Sequence, residues 1–328
     1  MKVLILGGAG MVGRKLAERL AKDGQLGGAA ITSLTLYDVV PGAIPAGAKF
    51  PVDVLTGDLP ADGETDKLVK GKPDVIFHLA AIVSGEAEQD FDKGYRINLK
   101  GTMNLFDSIR RAYDGAVKKP RVVFTSSIAV FGAPFPDKIG DEFFTTPLTS
   151  YGTQKAIGEL LLADLTRKGM MDGVGIRLPT ICVRPGKPNK AASGFFSNIM
   201  REPLAGHAAV LPVGDDVMHW HASPRAAVGF LLHAATIDGG KLGARRNLSM
   251  PGLAVTVGQQ IEALRKVAGE KVVARIQRVP DKFVQDIVAG WPRNFETRRS
   301  IGLGFKADAS FEEIIRIHIE DELGGKIA

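Results

Sequence analysis

The chain has 328 residues, 45% of them apolar and 24% charged, which suits one large α/β domain or a main domain with a companion and argues against disorder. Its formal charge of +6 is spread over scattered basic pairs, such as "KKPR" from Lys118 and "RR" at Arg245 and Arg298. No basic stripe with interleaved aromatics forms, so nucleic-acid binding is not expected. In chain order, "KVLIL" from Lys2, "LTLYD" from Leu34, "VIFHLAA" from Val75, "RVVFTSS" from Arg121 and "GVGIRLPTICV" from Gly173 read as strands. Their near-continuous hydrophobicity suits parallel strands covered on both faces. Between them "MVGRKLAERLAKDG", "NLKGTMNLFDSIRRAYDG" and "YGTQKAIGELLLADLTRKG" repeat apolar residues at helical spacing and end on glycine, as helix C-termini do.

After about Val183 the texture changes. "RPGKPNKAASGFF" reads as a loop, "TVGQQIEALRKVAG" and "FEEIIRIHIEDELGG" as isolated helices, and "KVVARIQRV" as a strand. The expected architecture is α/β: a Rossmann-type doubly wound parallel sheet over residues 1–180, with a small C-terminal substrate lobe over residues 181–328, some of whose segments return to the core.

Cys182 is the single cysteine, which excludes an intramolecular disulfide and implies a reducing compartment. It lies in an apolar run and reads as a small hydrophobe rather than a nucleophile. The start "MKVLILGG" has a lysine before an apolar stretch, but that stretch enters a glycine turn and a charged helix pattern rather than a cleavage site. No run of about eighteen apolar residues is present to span a bilayer. The chain is therefore read as a soluble cytoplasmic protein that does not act at a membrane.

Gly7, Gly10 and Gly13 stand directly between the first strand and the first helix. Such a turn lets the backbone approach a pyrophosphate, and the helix N-terminus, through Met11 and Val12, offers N–H groups and a positive dipole end. Asp38 ends the second strand, where a carboxylate accepts ribose hydroxyls and repels a 2′-phosphate, favouring NAD over NADP. Its alternative is a turn or helix-capping aspartate. Asp58 in "TGDL" is a candidate for the adenine end, or a plain loop aspartate.

The spacing G-x-x-G-x-x-G, "HLAA" at His78 to Ala81, "TSSIAVFG" at Thr125 to Gly132, and Tyr151 four residues before Lys155 together resemble the extended short-chain dehydrogenase/reductase family, which includes nucleotide-sugar epimerases and dehydratases. The resemblance covers residues 1–185 motif by motif. It implies bound NAD, with Leu59 beside Asp58, Leu79, Ala80 and Ala81 at the end of the third predicted strand, and Asn98 and Pro179 as further cofactor contacts. Asn98 reads equally as a structural residue inside its helix. The resemblance makes Tyr151 the general acid/base. An isolated tyrosine is a poor base at neutral pH, and an ammonium one helical turn away favours its phenolate. Lys155 supplies that charge and, in the family, holds the nicotinamide ribose. Ser127 matches the serine that binds the substrate oxygen, and Ser126, its neighbour, reads as structural.

Ser84, Ser127, Tyr151 and Thr180 are the candidate substrate contacts, with Arg184 and Asn189 as anchors for a carboxylate. Arg184 reads equally as a surface arginine or internal salt bridge. Many sugar-nucleotide enzymes of the family place an asparagine where Thr180 stands, to meet a diphosphate. The stretch "RLPTICVRPGKPNKAASGFFSNIMREPLAG" instead resembles dehydrogenases of a four-carbon sugar acid. His219 and His221 in "HWHASP" suggest a metal pair, but no further ligands accompany them and no metal is expected. The expected reaction is NAD-dependent oxidation of a small sugar acid. A nucleotide-sugar 4-epimerase or dehydratase with tightly held NAD is the rival, and a catalytically silent NAD-binding protein would be expected to have lost the Tyr151 and Lys155 pair. A homodimer is what the resemblance implies.

Overall fold

The structure is a computed structural model that describes residues 1–186 and 193–328. The chain folds as two compact units. The first comprises Met1–Val130, Thr149–Leu178 and Val228–Ser249; the second comprises Phe131–Leu148, Pro179–Ala227 and Met250–Ala328.

The first unit is built on a seven-stranded sheet, all of whose neighbouring strands are parallel. The strands are β1 (Lys2–Leu6), β2 (Ser33–Asp38), β3 (Val52–Thr56), β4 (Val75–His78), β5 (Arg121–Ser127), β6 (Asp172–Leu178) and β7 (Asn247–Ser249). Their order across the sheet is β7, β6, β5, β4, β1, β2, β3. The chain winds outward from β1 in both directions, so the sheet is doubly wound and its switch point lies between β1 and β4. Ligands of such sheets bind outside the carboxyl ends of the strands at that crevice.

The helices relevant to that edge are α1 (Met11–Asp23), α2 (Glu64–Lys70), α3 (Gly101–Ala112) and α4 (Ser150–Arg167). On α1, Gly13, Leu16, Ala17, Leu20 and Ala21 are buried, the one-sided stripe that packs a helix on a sheet. The strands contribute Leu4, Leu6, Ile76, Val122 and Phe124 to a core closed by Leu105, Phe106 and Ile109 of α3 and Leu162 of α4. A π-helical segment, Tyr95–Lys100, leads into α3.

The second unit contains a three-stranded sheet in which Met218–Ala222 pairs parallel with Thr180–Ile181 and antiparallel with Leu253–Thr256. Its core gathers Phe196, Ile199 and Met200 from the helix Gly194–Leu204, Ile261 and Leu264 from Val257–Ala268, and Phe311, Ile314 and Ile315 from Phe311–Leu323.

Three sequence expectations are corrected. "GVGIRLPTICV" is not one strand: β6 ends at Leu178, Pro179 interrupts the ladder because it has no N–H, and Thr180–Ile181 pairs in a different sheet. "KVVARIQRV" divides into a short helix, Glu270–Val273, and the strand Ile276–Arg278. The loop read at "RPGKPNKAASGFF" falls in part on residues 187–192, outside the described residues, while its end already belongs to the helix from Gly194.

Candidate active site

The turn after β1 is held by the neighbouring strand. Gly7 and Gly8 both donate their N–H groups to Tyr37 O, at 2.8 and 3.1 Å, and Gly10 donates to Gly7 O at 3.2 Å. Gly7 has φ +89°, and a Cβ there would lie 2.8 Å from Ala80 N, so neither the turn nor the approach of 79–81 tolerates a side chain. Gly13 is tighter still, because its Cβ would fall 2.1 Å from Gly7 O. Gly10 precedes α1, and the first intrahelical bond runs from Arg14 N–H to Gly10 O. Met11, Val12 and Gly13 therefore form the first turn, whose N–H groups have no partner within the helix. A Cβ on Gly10 would meet Gly7 O at 3.3 Å and no other atom of the described residues within 4 Å. The space above the helix N-terminus is thus open, polar and positively biased, which fits a pyrophosphate.

Asp38, at the end of β2, accepts from Ala9 N–H at 3.0 Å and from Val39 N–H at 2.7 Å. The carboxylate is fixed beside the glycine turn, where a ribose diol would meet it. On the other side of the switch point, Leu79, Ala80 and Ala81 follow β4 and are half-buried, with Leu79 N–H bonded to Leu6 O. These residues fit NAD. Asp58 is differently placed: it forms a 2.5 Å ion pair with Arg96, while Leu59 beside it is buried in the core.

The α4 helix begins at Thr149, whose hydroxyl accepts from Gly152 N–H at 3.1 Å. That cap puts Tyr151 and Lys155 on adjacent turns of one face. Lys155 is 3% exposed, donates to Thr125 O on β5 at 2.8 Å, and has its Nζ 5.7 Å from the centre of the Tyr151 ring. Burial lowers the Lys155 ammonium to about 8, against the opposing pull of Glu159. Tyr151 is half-buried. Ser127 closes β5, two residues after the carbonyl that holds Lys155, and its Oγ accepts from Ala129 N–H at 3.1 Å. A phenol, an ammonium and a hydroxyl thus gather at the carboxyl end of β5 and the start of α4. An alcohol brought there meets a base whose anion is favoured by a nearby cation.

Asn98 lies in the π-helical segment, buried. It accepts from Ile82 N–H at 2.8 Å and donates to Gln154 Oε1 at 2.8 Å and to Ile82 O at 3.3 Å. It therefore braces the chain just after 79–81 against α4, next to Lys155. A histidine below them completes the support: Thr102 Oγ1 donates to Asn98 O at 2.7 Å and receives His78 Nε2–H at 2.8 Å. Burial lowers His78 to about 3, with the Lys155 charge adding to the effect. The sequence offered "HLAA" and Asn98 as separate motif members; only the fold shows them joined.

In the first unit Ser84 opens the short helix Ser84–Gln89. In the second unit Pro179 is buried and Thr180 is half-buried, with its Oγ1 2.7 Å from His219 Nε2. Arg184 donates from Nε to Ile181 O and from Nη2 to Ser193 Oγ, each at 3.0 Å. Asn189 lies outside the described residues. The histidines of "HWHASP" are both buried. His219 stacks on Phe196 at 5.1 Å and 2°, and His221 lies 2.9 Å from Gln260 Nε2. Among the described residues no group of three or more His, Cys, Asp or Glu could hold a metal ion. Cys182 is fully buried and its thiol is pushed up to about 12 by that burial. No helix among the described residues is long and apolar enough to cross a membrane.

A doubly wound sheet with a glycine turn at its switch point and a Tyr/Lys helix defines an NAD-handling enzyme, and the chain belongs to the NAD dependent epimerase/dehydratase family, whose model matches residues 3–239. It is 47% identical over 326 residues to the D-erythronate dehydrogenase of Cupriavidus necator, covering 98% of both chains. With the D-erythronate dehydrogenase of Haemophilus influenzae it shares 41% identity over 323 residues, 98% of this chain and 100% of the relative. A crystal structure from Agrobacterium tumefaciens, described as a nucleoside-diphosphate-sugar epimerase, superposes with a TM-score of 0.97 at 66% identity, covering 100% of this chain and 96% of that one.

Proposed function

We propose that the protein is an NAD-dependent dehydrogenase that oxidises D-erythronate to 2-oxo-erythronate. Bound NAD supplies the hydride acceptor for the C2 hydrogen. Tyr151 takes the C2 hydroxyl proton, Ser127 hydrogen-bonds the same oxygen, and Lys155 holds a positive charge one turn away so that the phenolate is available. Gly7, Gly10 and Gly13, the first turn of α1, Asp38 and 79–81 hold the cofactor. Thr180, Arg184 and Asn189 are proposed to recognise the acid, and a cytoplasmic homodimer is the proposed assembly.

The observation that supports the dehydrogenase reading most is the near-full-length identity to two relatives that bear that name, which extends well beyond the cofactor motifs. The description of the Agrobacterium structure favours a sugar-nucleotide epimerase instead. The two readings separate on net redox change. Purified protein with NAD and D-erythronate should accumulate NADH, and nucleotide sugars should give none. No NADH with D-erythronate or other four-carbon acids, together with interconversion of a nucleotide sugar, would overturn the proposal. Tyr151→Phe should keep NAD affinity and lose nearly all turnover; substantial remaining activity removes Tyr151 from its role.

A further inference from the structure

The buried face of α4 carries another charged side chain, Glu159, one turn beyond Lys155 and 3% exposed. Ser126 Oγ donates to its Oε1 at 2.5 Å. Arg177 donates from Nε to Oε1 at 2.8 Å and from Nη2 to Oε2 at 2.7 Å, a bidentate grip. Ser126 and Arg177 face each other directly in the register of β5 and β6, so one carboxylate clasps the helix to two adjacent strands. A buried ion pair is a weak source of stability, since removing two charges from water costs about what their attraction returns. Its place in the fold points to another use. Ser126 sits between Thr125, whose carbonyl takes the Lys155 ammonium, and Ser127.

The charged and titratable groups around Lys155 are few. Glu159 and Tyr151 lie on its own helix, Arg177 reaches the same carboxylate from β6, and His78 approaches from β4. His78 stays neutral at working pH because burial holds it at about 3. Glu88, exposed, accepts from Ser150 N–H at 2.9 Å beside Tyr151, so among the described residues the buried part of the balance is set by one anion, Glu159, and one cation, Arg177.

We propose that Glu159, held by Ser126 and Arg177, is a positioning residue for the Tyr151 and Lys155 pair. It anchors α4 to the strand that carries Ser127, and it keeps a negative charge one turn from Lys155, so that the tyrosine rather than the lysine gives up the first proton. The inference rests on the acid/base reading of Tyr151 given above. Loss of one proton from the pair yields two forms: phenolate with ammonium, which is active, and phenol with neutral amine, which is not. A carboxylate nearer to the lysine than to the tyrosine favours the active form.

Two variants with opposite charge changes test this. Glu159→Gln removes the anion, which lowers nearby pKa values, most at Lys155. The kcat/KM profile should move to lower pH by about half a unit and the plateau kcat should fall about 10-fold, with KM for NAD unchanged. Arg177→Gln removes the cation and should move the profile to higher pH by a similar amount. A purely structural clasp would lower stability and activity in both without opposite displacements. Profiles that stay in place, or move the same way in both variants, overturn the proposal, and Arg177→Gln decides alone if Glu159→Gln does not fold.

A second readout needs no turnover. Tyrosinate absorbance of the cofactor-free protein, taken as wild type minus Tyr151→Phe, isolates Tyr151, because Tyr37, Tyr95 and Tyr113 are common to both proteins and cancel. If that difference shows no ionisation below about pH 10, the acid/base reading itself fails. If Tyr151 ionises but Glu159→Gln and Arg177→Gln leave its midpoint in place, only the positioning role of Glu159 fails.

Discussion

Gly13→Ala places a methyl group where backbone already stands. The new Cβ would lie 2.1 Å from Gly7 O, 2.9 Å from Gly7 C and 3.0 Å from Gly8 Cα, against about 3.5 Å for comfortable non-bonded contact. No flexible side chain is available to swing aside, since all three neighbours belong to a turn tied to β2 through Gly7 N–H and Tyr37 O at 2.8 Å. The turn and helix must part by about 1 Å, and overpacking of this kind costs about 1–3 kcal/mol. Alanine regains about 1 kcal/mol over glycine inside a helix. With rigid neighbours the upper end of the cost applies, leaving a net loss of about 2 kcal/mol, or about 3 °C in Tm for a chain of this length.

Gly10→Ala separates stability from binding. Its Cβ would meet only Gly7 O, at 3.3 Å. Alanine is a poorer helix N-cap than glycine, at a cost of about 1 kcal/mol or less. The methyl group, however, projects into the open space over the helix N-terminus. Losing two charge-assisted hydrogen bonds of about 1.5 kcal/mol each corresponds to about 100-fold in affinity. Calorimetric titration with NADH and thermal melts of both variants should therefore show Gly13→Ala weakened in both properties and Gly10→Ala weakened chiefly in binding, with the smaller loss of Tm. NADH affinity at the wild-type level in Gly10→Ala would refute the assignment of this turn to the pyrophosphate.

Asp38→Asn keeps an acceptor for Ala9 N–H but removes the charge, so the ratio of kcat/KM for NAD to that for NADP should narrow by about 10-fold; an unchanged ratio excludes Asp38 from ribose recognition. Because burial lowers the Lys155 ammonium to about 8, turnover should decline at alkaline pH, after Tyr151 has given up its proton, as the lysine charge is lost. Stability should not follow: between the folded value and the ordinary lysine value of about 10.4 the unfolded chain binds the extra proton, so this group makes stability rise with pH there. A rate that keeps climbing to about pH 10 contradicts the role of the cation. His78 and His219 are both lowered to about 3 by burial, so their stabilising effect is complete above the unfolded value of about 6.5 and is lost as pH falls below it. Melts taken between about pH 7 and 4 should show Tm falling, and His219→Phe, which preserves the stack on Phe196, should flatten that fall.

What the sequence disclosed follows from how each element is covered. The strands β1, β2, β4, β5 and β6 lie inside a doubly covered sheet and read as apolar runs. At the edges that signal vanishes. Val52–Thr56 leaves Asp53, Leu55 and Thr56 exposed, and Asn247–Ser249 is three residues long, so neither edge strand was foreseen. Of the candidate site, the glycine turn and Asp38 were legible from their places at element ends, and Ser127, Tyr151 and Lys155 through the resemblance of their motifs. Asn98 was recognisable as a position but not as a brace, since its partners Ile82 and Gln154 come from distant parts of the chain. "HWHASP" suggested metal by spacing, whereas its first histidine meets Thr180 across a parallel strand pair.

Glu159 passed unnoticed for a different reason. In "QKAIGELLLADL" its carboxylate looks like any acidic residue on a helix, yet it shares the buried face with Lys155, Ala156 and Leu162. A lysine and a glutamate one turn apart on the apolar stripe of a long helix cannot both be left without partners, because burying either charge alone is prohibitive. That stripe alone therefore demands a cation and a hydrogen-bond donor from the strands beneath. Ser126 and Arg177, one on each of two neighbouring strands, meet that demand at the same register position. The signal was present in the helix periodicity; what the sequence lacked was the strand register that supplies the answer.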